Sequence, residues 1–151
     1  MFNLNCKSFL FLLFFGLMPL LPYANKKSDS LLRVAQTAKA DSTRLYAYLE
    51  VASIVIHSSP DSASLFAGKA LKIAQKTKDA GGQVQALNMQ GNCFQRQGEY
   101  AKAIITYEKC KKLAEQTNDL KGLAQTTNNI GIVYTNKGEY DKALAAYQES
   151  M

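Results

Sequence analysis

One histidine, three cysteines and a handful of side-chain amides are the residues whose chemistry is worth weighing first. His57 is the only histidine and stands before Ser58 and Ser59, at the expected end of a helix. An imidazole there ordinarily meets solvent or the helix's negative end. A metal site would have to gather Cys93, Cys110 and carboxylates without any CxxC or HxxxH spacing, so no metal site is expected. The glycines form neither GxGxxG nor GxxxxGK(S/T), so no phosphate loop and no cofactor are expected either. No constellation for catalysis forms, and the expectation is a chain with no enzymatic activity. Asn88, Asn92, Asn128 and Asn129 are different. Asparagine is a mediocre helix former. Its amide offers a donor and an acceptor together, matching the N–H and C=O of an extended peptide.

The elements that carry these residues recur at an offset of forty. Gly91–Cys110, GNCFQRQGEYAKAIITYEKC, lies over Gly131–Ser150, GIVYTNKGEYDKALAAYQES. Gly91, Gly98, Glu99, Tyr100, Lys102, Ala103 and Tyr107 return as Gly131, Gly138, Glu139, Tyr140, Lys142, Ala143 and Tyr147, and Phe94 answers Tyr134. Such a fixed period means stacked supersecondary units. Tyr100, Ala103, Ile104, Tyr107, Cys110 and Ala114 make a one-sided helical stripe, with Val84, Leu87, Gly91 and Phe94 on a second helix before it. Gly98 can end the first helix in the left-handed conformation, and Glu99 sets a carboxylate at the start of the next. Asp79 and Asp119 stand where N-caps belong. Gly91 and Ala103, both small, are expected to let the two helices of a unit approach closely. Tyr100, Tyr107, Tyr134, Tyr140 and Tyr147 fall on core stripes, so core filling is their expected role.

Composition bounds the rest. The chain has 151 residues, 47% hydrophobic and 20% charged, with a formal net charge of +6. That excludes a disordered or collagen-like chain. The cations are scattered among acidic residues, without the basic, aromatic-studded face of a nucleic-acid binder, so no nucleic-acid partner is expected. The apolar content peaks at Phe9–Leu21, FLFLLFFGLMPLL, preceded by Lys7 and followed by Pro22-Tyr23-Ala24. This is the order of a secretory signal peptide over residues 1–24, cut after Ala24. A run broken by Gly16 and Pro19 is short of the ~20 residues that span a membrane. The rival reading is an uncleaved anchor. Export puts the chain in a periplasmic or extracellular space. There a Cys93–Cys110 disulfide competes with the reading of two buried spacers, Cys93 facing the preceding unit and Cys110 the following one.

These residues carry a resemblance. With GEYxKAxxxY at Gly98–Tyr107 and Gly138–Tyr147, and Gly91/Phe94 and Gly131/Tyr134 upstream, the chain resembles tetratricopeptide-repeat proteins of the longer-period variety. Leu87 and Thr127 stand where the family has Trp. The resemblance implies an all-α, right-handed helical-repeat solenoid: a capping helix within 25–41, a degenerate repeat over 42–80, a second over 81–120 and an incomplete third over 121–151. In the degenerate repeat Val51 or Ala52 replaces the glycine, and Ala63, Phe66, Ala67, Ala70 and Ala74 form the inner stripe. The family lines a concave groove with its first helices and holds protein or peptide ligands there, which would place Asn88, Asn92, Asn128 and Asn129 in the groove. Asn92 and Asn129 match the asparagines of the family's carboxylate clamp, but Asn88 occupies the place of its first lysine. The competing reading makes Asn88 and Asn128 family-typical polar residues with local hydrogen bonds between repeats. The cut third repeat points to the front piece of a longer protein, and the resemblance then extends to the sensory portions of membrane-bound bacterial signalling proteins. Contact with a membrane would come only through the signal segment or a missing C-terminal part.

Overall fold

The computed structural model describes residues 21–150, with the side chains of 21–25 left aside. The apolar run and most of the expected signal peptide lie outside these residues. Seven helices follow one another: α1 Leu21–Thr37, α2 Asp41–Val55, α3 Pro60–Thr77, α4 Ala80–Arg96, α5 Tyr100–Gln116, α6 Leu120–Asn136 and α7 Tyr140–Glu149. No strand occurs among the described residues. α1 starts before the 25–41 stretch expected to hold a capping helix, and the expected cut after Ala24 falls within its first turn. No described helix is long and apolar enough to cross a membrane.

Two kinds of turn alternate, and local sequence explains both. Within a helix pair, Gly98 and Gly138 take φ of +75° and +76°, the left-handed region that glycine enters without a Cβ clash. Between pairs, Lys78 and Asn118 take the same region at φ 55° and 52°. Each turn closes with a bond that reaches back five residues, from the N–H of Asp79, Glu99, Asp119 and Glu139 to the C=O of Ala74, Phe94, Ala114 and Tyr134, each 2.9 Å. The helices after Asp79 and Asp119 are capped, since those carboxylates accept from the Gly82 and Gly122 N–H at 2.8 and 2.9 Å. Glu99 and Glu139 cap nothing and instead pair with Lys102 and Lys142 at 2.5 and 2.7 Å. Ser59 caps α3 through Ser62 N–H, with Pro60 in the first turn.

Packing runs from neighbour to neighbour, without one central core. Each helix lies against the next in sequence. Beyond that, the backbones of α2 and α4 and of α4 and α6 come close, whereas those of α3, α5 and α7 do not, α5 and α7 meeting only through side chains such as the Lys111–Glu149 ion pair at 2.5 Å. The even helices therefore form the closer row of a helical-repeat solenoid, whose stability is shared between neighbouring units. The apolar clusters follow suit. Ala35 of α1, Leu45, Tyr48 and Leu49 of α2 and Ala70, Ile73 and Ala74 of α3 form one. Cys93 of α4 sits with Ala52, Ile56, Ala63 and Ala67, facing the preceding pair. Cys110 packs with Val84 and Ala114 and meets Thr126 of the following pair at 3.2 Å. Both thiols are free and buried.

The glycine of the repeat has a different partner from the one its small size suggests. A Cβ built on Gly91 would overlap the Tyr107 ring, with Ala103 not among its nearest neighbours. Gly91 is the notch that admits Tyr107, and Gly131 is the same notch for Tyr147.

Candidate functional site

The exposed side of the α2–α4–α6 row holds two hollows that meet along α4. Gln85, Asn88, Met89, Asn92 and Gln95 recur on α4 at three- and four-residue steps, so they share one helix face. The first hollow, about 410 Å³, runs from Leu49 of α2 over Val84–Asn92 to Asp119, Lys121, Gly122 and Gln125 of α6. The second, about 460 Å³, lies at the C-terminal ends of the same helices, between Ser53, Ile56 and His57, the α4 residues Met89–Arg96, and Asn136. Side-chain amides contribute to both linings: Gln85, Asn88, Asn92 and Gln125 in the first, and Asn92, Gln95 and Asn136 in the second. In the first, Asp119 and Lys121 balance each other in charge.

Three of the four asparagines come together, and they bond to one another. The Asn129 amide donates to Asn88 Oδ1 at 2.8 Å and to Asn92 Oδ1 at 3.2 Å. The Tyr107 hydroxyl donates to Asn92 Oδ1 at 2.6 Å and lies 3.2 Å from Gln95 Oε1. This consumes both hydrogens of the Asn129 amide and both lone pairs of Asn92 Oδ1. The N–H groups of Asn92 and Gln95 are outside that network. Asn88 is 4% exposed, held under the surface by the cluster. Asn128 is exposed and lines neither hollow. The local hydrogen bond expected of Asn88 and Asn128 is found for Asn88, but its partner is Asn129 and not Asn128, and Asn92 alone belongs to the internal network and to both hollows.

Several lining residues went unnoticed in the sequence: Gln85, Gln95, Gln125, Arg96 and Asn136, while His57, expected at a helix end, also borders the second hollow. The signal for Gln85 and Gln95 was their helical spacing to Asn88 and Asn92, and for Gln125 its three- and four-residue spacing to Asn128 and Asn129. Tyr107 and the two buried cysteines are neutral beneath this surface. Burial pushes the Cys93 thiol up to about 11, and it raises Cys110 and the Tyr107 phenol as well. Such groups pack and hydrogen-bond without reacting. Among the described residues no group of three or more His, Cys, Asp or Glu could hold a metal ion.

The comparisons agree with this architecture. Residues 82–151 match the tetratricopeptide repeat family model. The crystal structure of the TPR domain of Arabidopsis FLU is similar, with a TM-score of 0.67 and 24% identity, covering 74% of this chain and 94% of that one. No curated protein matches the chain. Over its two C-terminal pairs the chain is similar in sequence to tetratricopeptide repeats, and over three quarters of its length it shares the fold of a tetratricopeptide-repeat domain.

Proposed function

We propose that this chain is a scaffold that holds a protein or peptide segment on the α2–α4–α6 row, with no catalytic activity of its own. Tetratricopeptide-repeat domains typically mediate protein–protein interaction, and the longer-period variety is the closest description of helices that begin forty residues apart. The observation that carries the reading is the row of amides along one face of α4, continued onto α6 by Gln125 and bordering two joined hollows. A mostly uncharged amide surface suits the alternating N–H and C=O of an extended backbone. On this reading the row is the concave side of the solenoid. The Phe9–Leu21 segment supports export, with the mature protein starting at Asn25 in a periplasmic or extracellular space.

A peptide array probed with the chain and with its Gln85→Ala/Gln125→Ala variant tests the proposal. Neither glutamine belongs to the Asn88–Asn92–Asn129 cluster, so the fold stays intact. Losing one or two hydrogen bonds of ~0.5–1.5 kcal/mol each weakens captured peptides by roughly tenfold. Equal binding by the variant, or no captured peptide, would sink the reading.

A second reading has its own observation. Tyr140 and Leu144 of α7 are 70% and 59% exposed, while their counterparts Tyr100 and Ile104 pack beside α6. A further repeat would cover them. This favours a role as the N-terminal sensory portion of a membrane-bound bacterial signalling protein, such as a histidine kinase or transcription regulator.

A further inference from the structure

We infer that a third hollow, between α5 and α7 on a side of α6 turned away from the amide row, receives a tryptophan side chain of a partner polypeptide. Its lining shares no residue with the two hollows of the row, so the inference stands apart from the peptide reading given above.

The forty-residue period explains why space opens here. Leu71, Leu87 and Ile105 have Lys111, Thr127 and Ala145 as their counterparts. Leu71 and Leu87 pack against apolar clusters at the earlier place. At the later place that bulk is gone, and Thr127, Ile130, Tyr134, Ala145 and Ala146 border about 250 Å³. Thr127, Ile130 and Tyr134 follow at three- and four-residue steps, on a different face of α6 from Gln125. The volume is below the ~300–1,000 Å³ of pockets for drug-sized molecules, so a single side chain is the unit that fits. The floor offers no free donor either. Buried Thr127 gives its hydroxyl hydrogen back to the C=O groups of Leu123 and Ala124, at 3.0 and 3.1 Å.

The rim narrows the choice of side chain. Glu108, Lys111, Lys142 and Glu149 stand around the opening. Two cations and two carboxylates cancel, which favours an uncharged guest. Lys111 is paired with Glu149 at 2.5 Å and Lys142 with Glu139 at 2.7 Å. Glu108 takes part in none of the ion pairs among the described residues. Lys142 Nζ lies 5.5 Å from the centre of the Tyr134 ring, so an ammonium already rests on an aromatic face here. An indole meets all of these conditions. Its body is large and apolar, its face is the best aromatic partner for an ammonium, and its N–H needs an acceptor once buried. Glu108 is that acceptor, and a charged one. Phenylalanine or leucine would fill the space and leave the carboxylate unused. The chain itself has no tryptophan, so a second copy cannot supply the group.

That same lack provides the test, because only the probe then emits as tryptophan. Acetyl-Gly-Trp-Gly-amide is titrated with the 151-residue chain, and its emission should move to shorter wavelength as the indole leaves water. The phenylalanine and leucine versions should compete about tenfold more weakly. Ala145→Ile puts the earlier pair's residue at an exposed position, fills the hollow and should lower affinity by about tenfold or more. Glu108→Gln, also exposed, should weaken the tryptophan probe by roughly threefold and leave the phenylalanine probe unchanged. Unmoved emission, equal affinity for the three probes, or indifference to Ala145→Ile overturns the subsite. Loss of the signal in Gln85→Ala/Gln125→Ala overturns it as well, by placing the indole on the row. Capture or silence on the peptide array bears on the row alone.

Discussion

The α4–α5 and α6–α7 pairs share GEYxKAxxxY, the same turns and the same Asp cap, yet they differ in how far those residues are buried. Tyr107 is fully buried and hydrogen-bonded to Asn92, while its counterpart Tyr147 is half-buried and reaches Thr135 at 3.2 Å. The reason is position. Tyr107 packs with Ile130 and Val133 of the next pair, and no described helix does that for α7. The amide cluster joins α4 to α6 and has no counterpart further along, since Asn92 is replaced by Ile132 at the corresponding place. A repeated motif thus specifies geometry within a pair, while the neighbour decides what the motif is worth.

Four experiments bear on that difference. The largest effect is expected from truncating the buried ring. Tyr107→Ala should cost about 3–5 kcal/mol, and Tyr147→Ala much less, by urea unfolding. Equal costs would break the comparison. Filling the notch comes next: Gly91→Ala should destabilise by about 1–3 kcal/mol because the Tyr107 ring is enclosed. Gly131→Ala should cost less, since the half-exposed Tyr147 can move aside. Alkali should also single out the inner pair, where Cys93 and Cys110 answer to Val133 and Ser150. Burial raises the Cys93 thiol from 9.0 to about 11. The unfolded chain therefore ionises first, and the stability this thiol contributes is whole below pH 9 and lost as pH rises from there through 11. The loss should be about 1–3 kcal/mol, with Tyr107 and Cys110 shifted in the same direction. Hydrogen exchange in α4 and α5 should rise in that window ahead of α6 and α7, and Cys93→Val should shrink the gap. The smallest contrast concerns the caps. Asp79→Ala and Asp119→Ala should each cost ~1 kcal/mol, because the two hydrogen bonds differ by only 0.1 Å. Unequal melting temperatures for these two variants would show that burial alone does not separate the pairs.

What was legible in the sequence follows the same division. The helices, the left-handed Gly98 and Gly138, the Asp caps and the facing of Cys93 and Cys110 were readable, because each depends on residues within one pair or on the forty-residue period. Tyr140 was expected in the core, but at 70% exposure it is not, since a stripe says which side is apolar and not whether anything covers it. Gly91 was matched with Ala103 on size, although the group entering its notch is the large Tyr107 ring. The bonding among the asparagines was hidden for a sharper reason. The period pairs Asn88 with Asn128, whereas the hydrogen bond joins Asn88 to Asn129, one residue off the repeat. That bond depends on how neighbouring pairs rotate against each other, which no single repeat encodes. Arg96 ends α4 and His57 lies in the turn after α2, and they share a hollow only because α2 packs on α4.

The Tyr107–Asn92 bond has a practical side. The chain has no tryptophan, so its emission comes from eight tyrosines, and one of them is tied by its hydroxyl to the surface where a ligand is proposed to lie. Anything that draws on the Asn92 amide perturbs the environment of a buried phenol. Occupancy of the row could therefore be followed in unlabelled protein as a change in tyrosine fluorescence, with Tyr107→Phe as the silent reference. The molecule carries its own optical gauge.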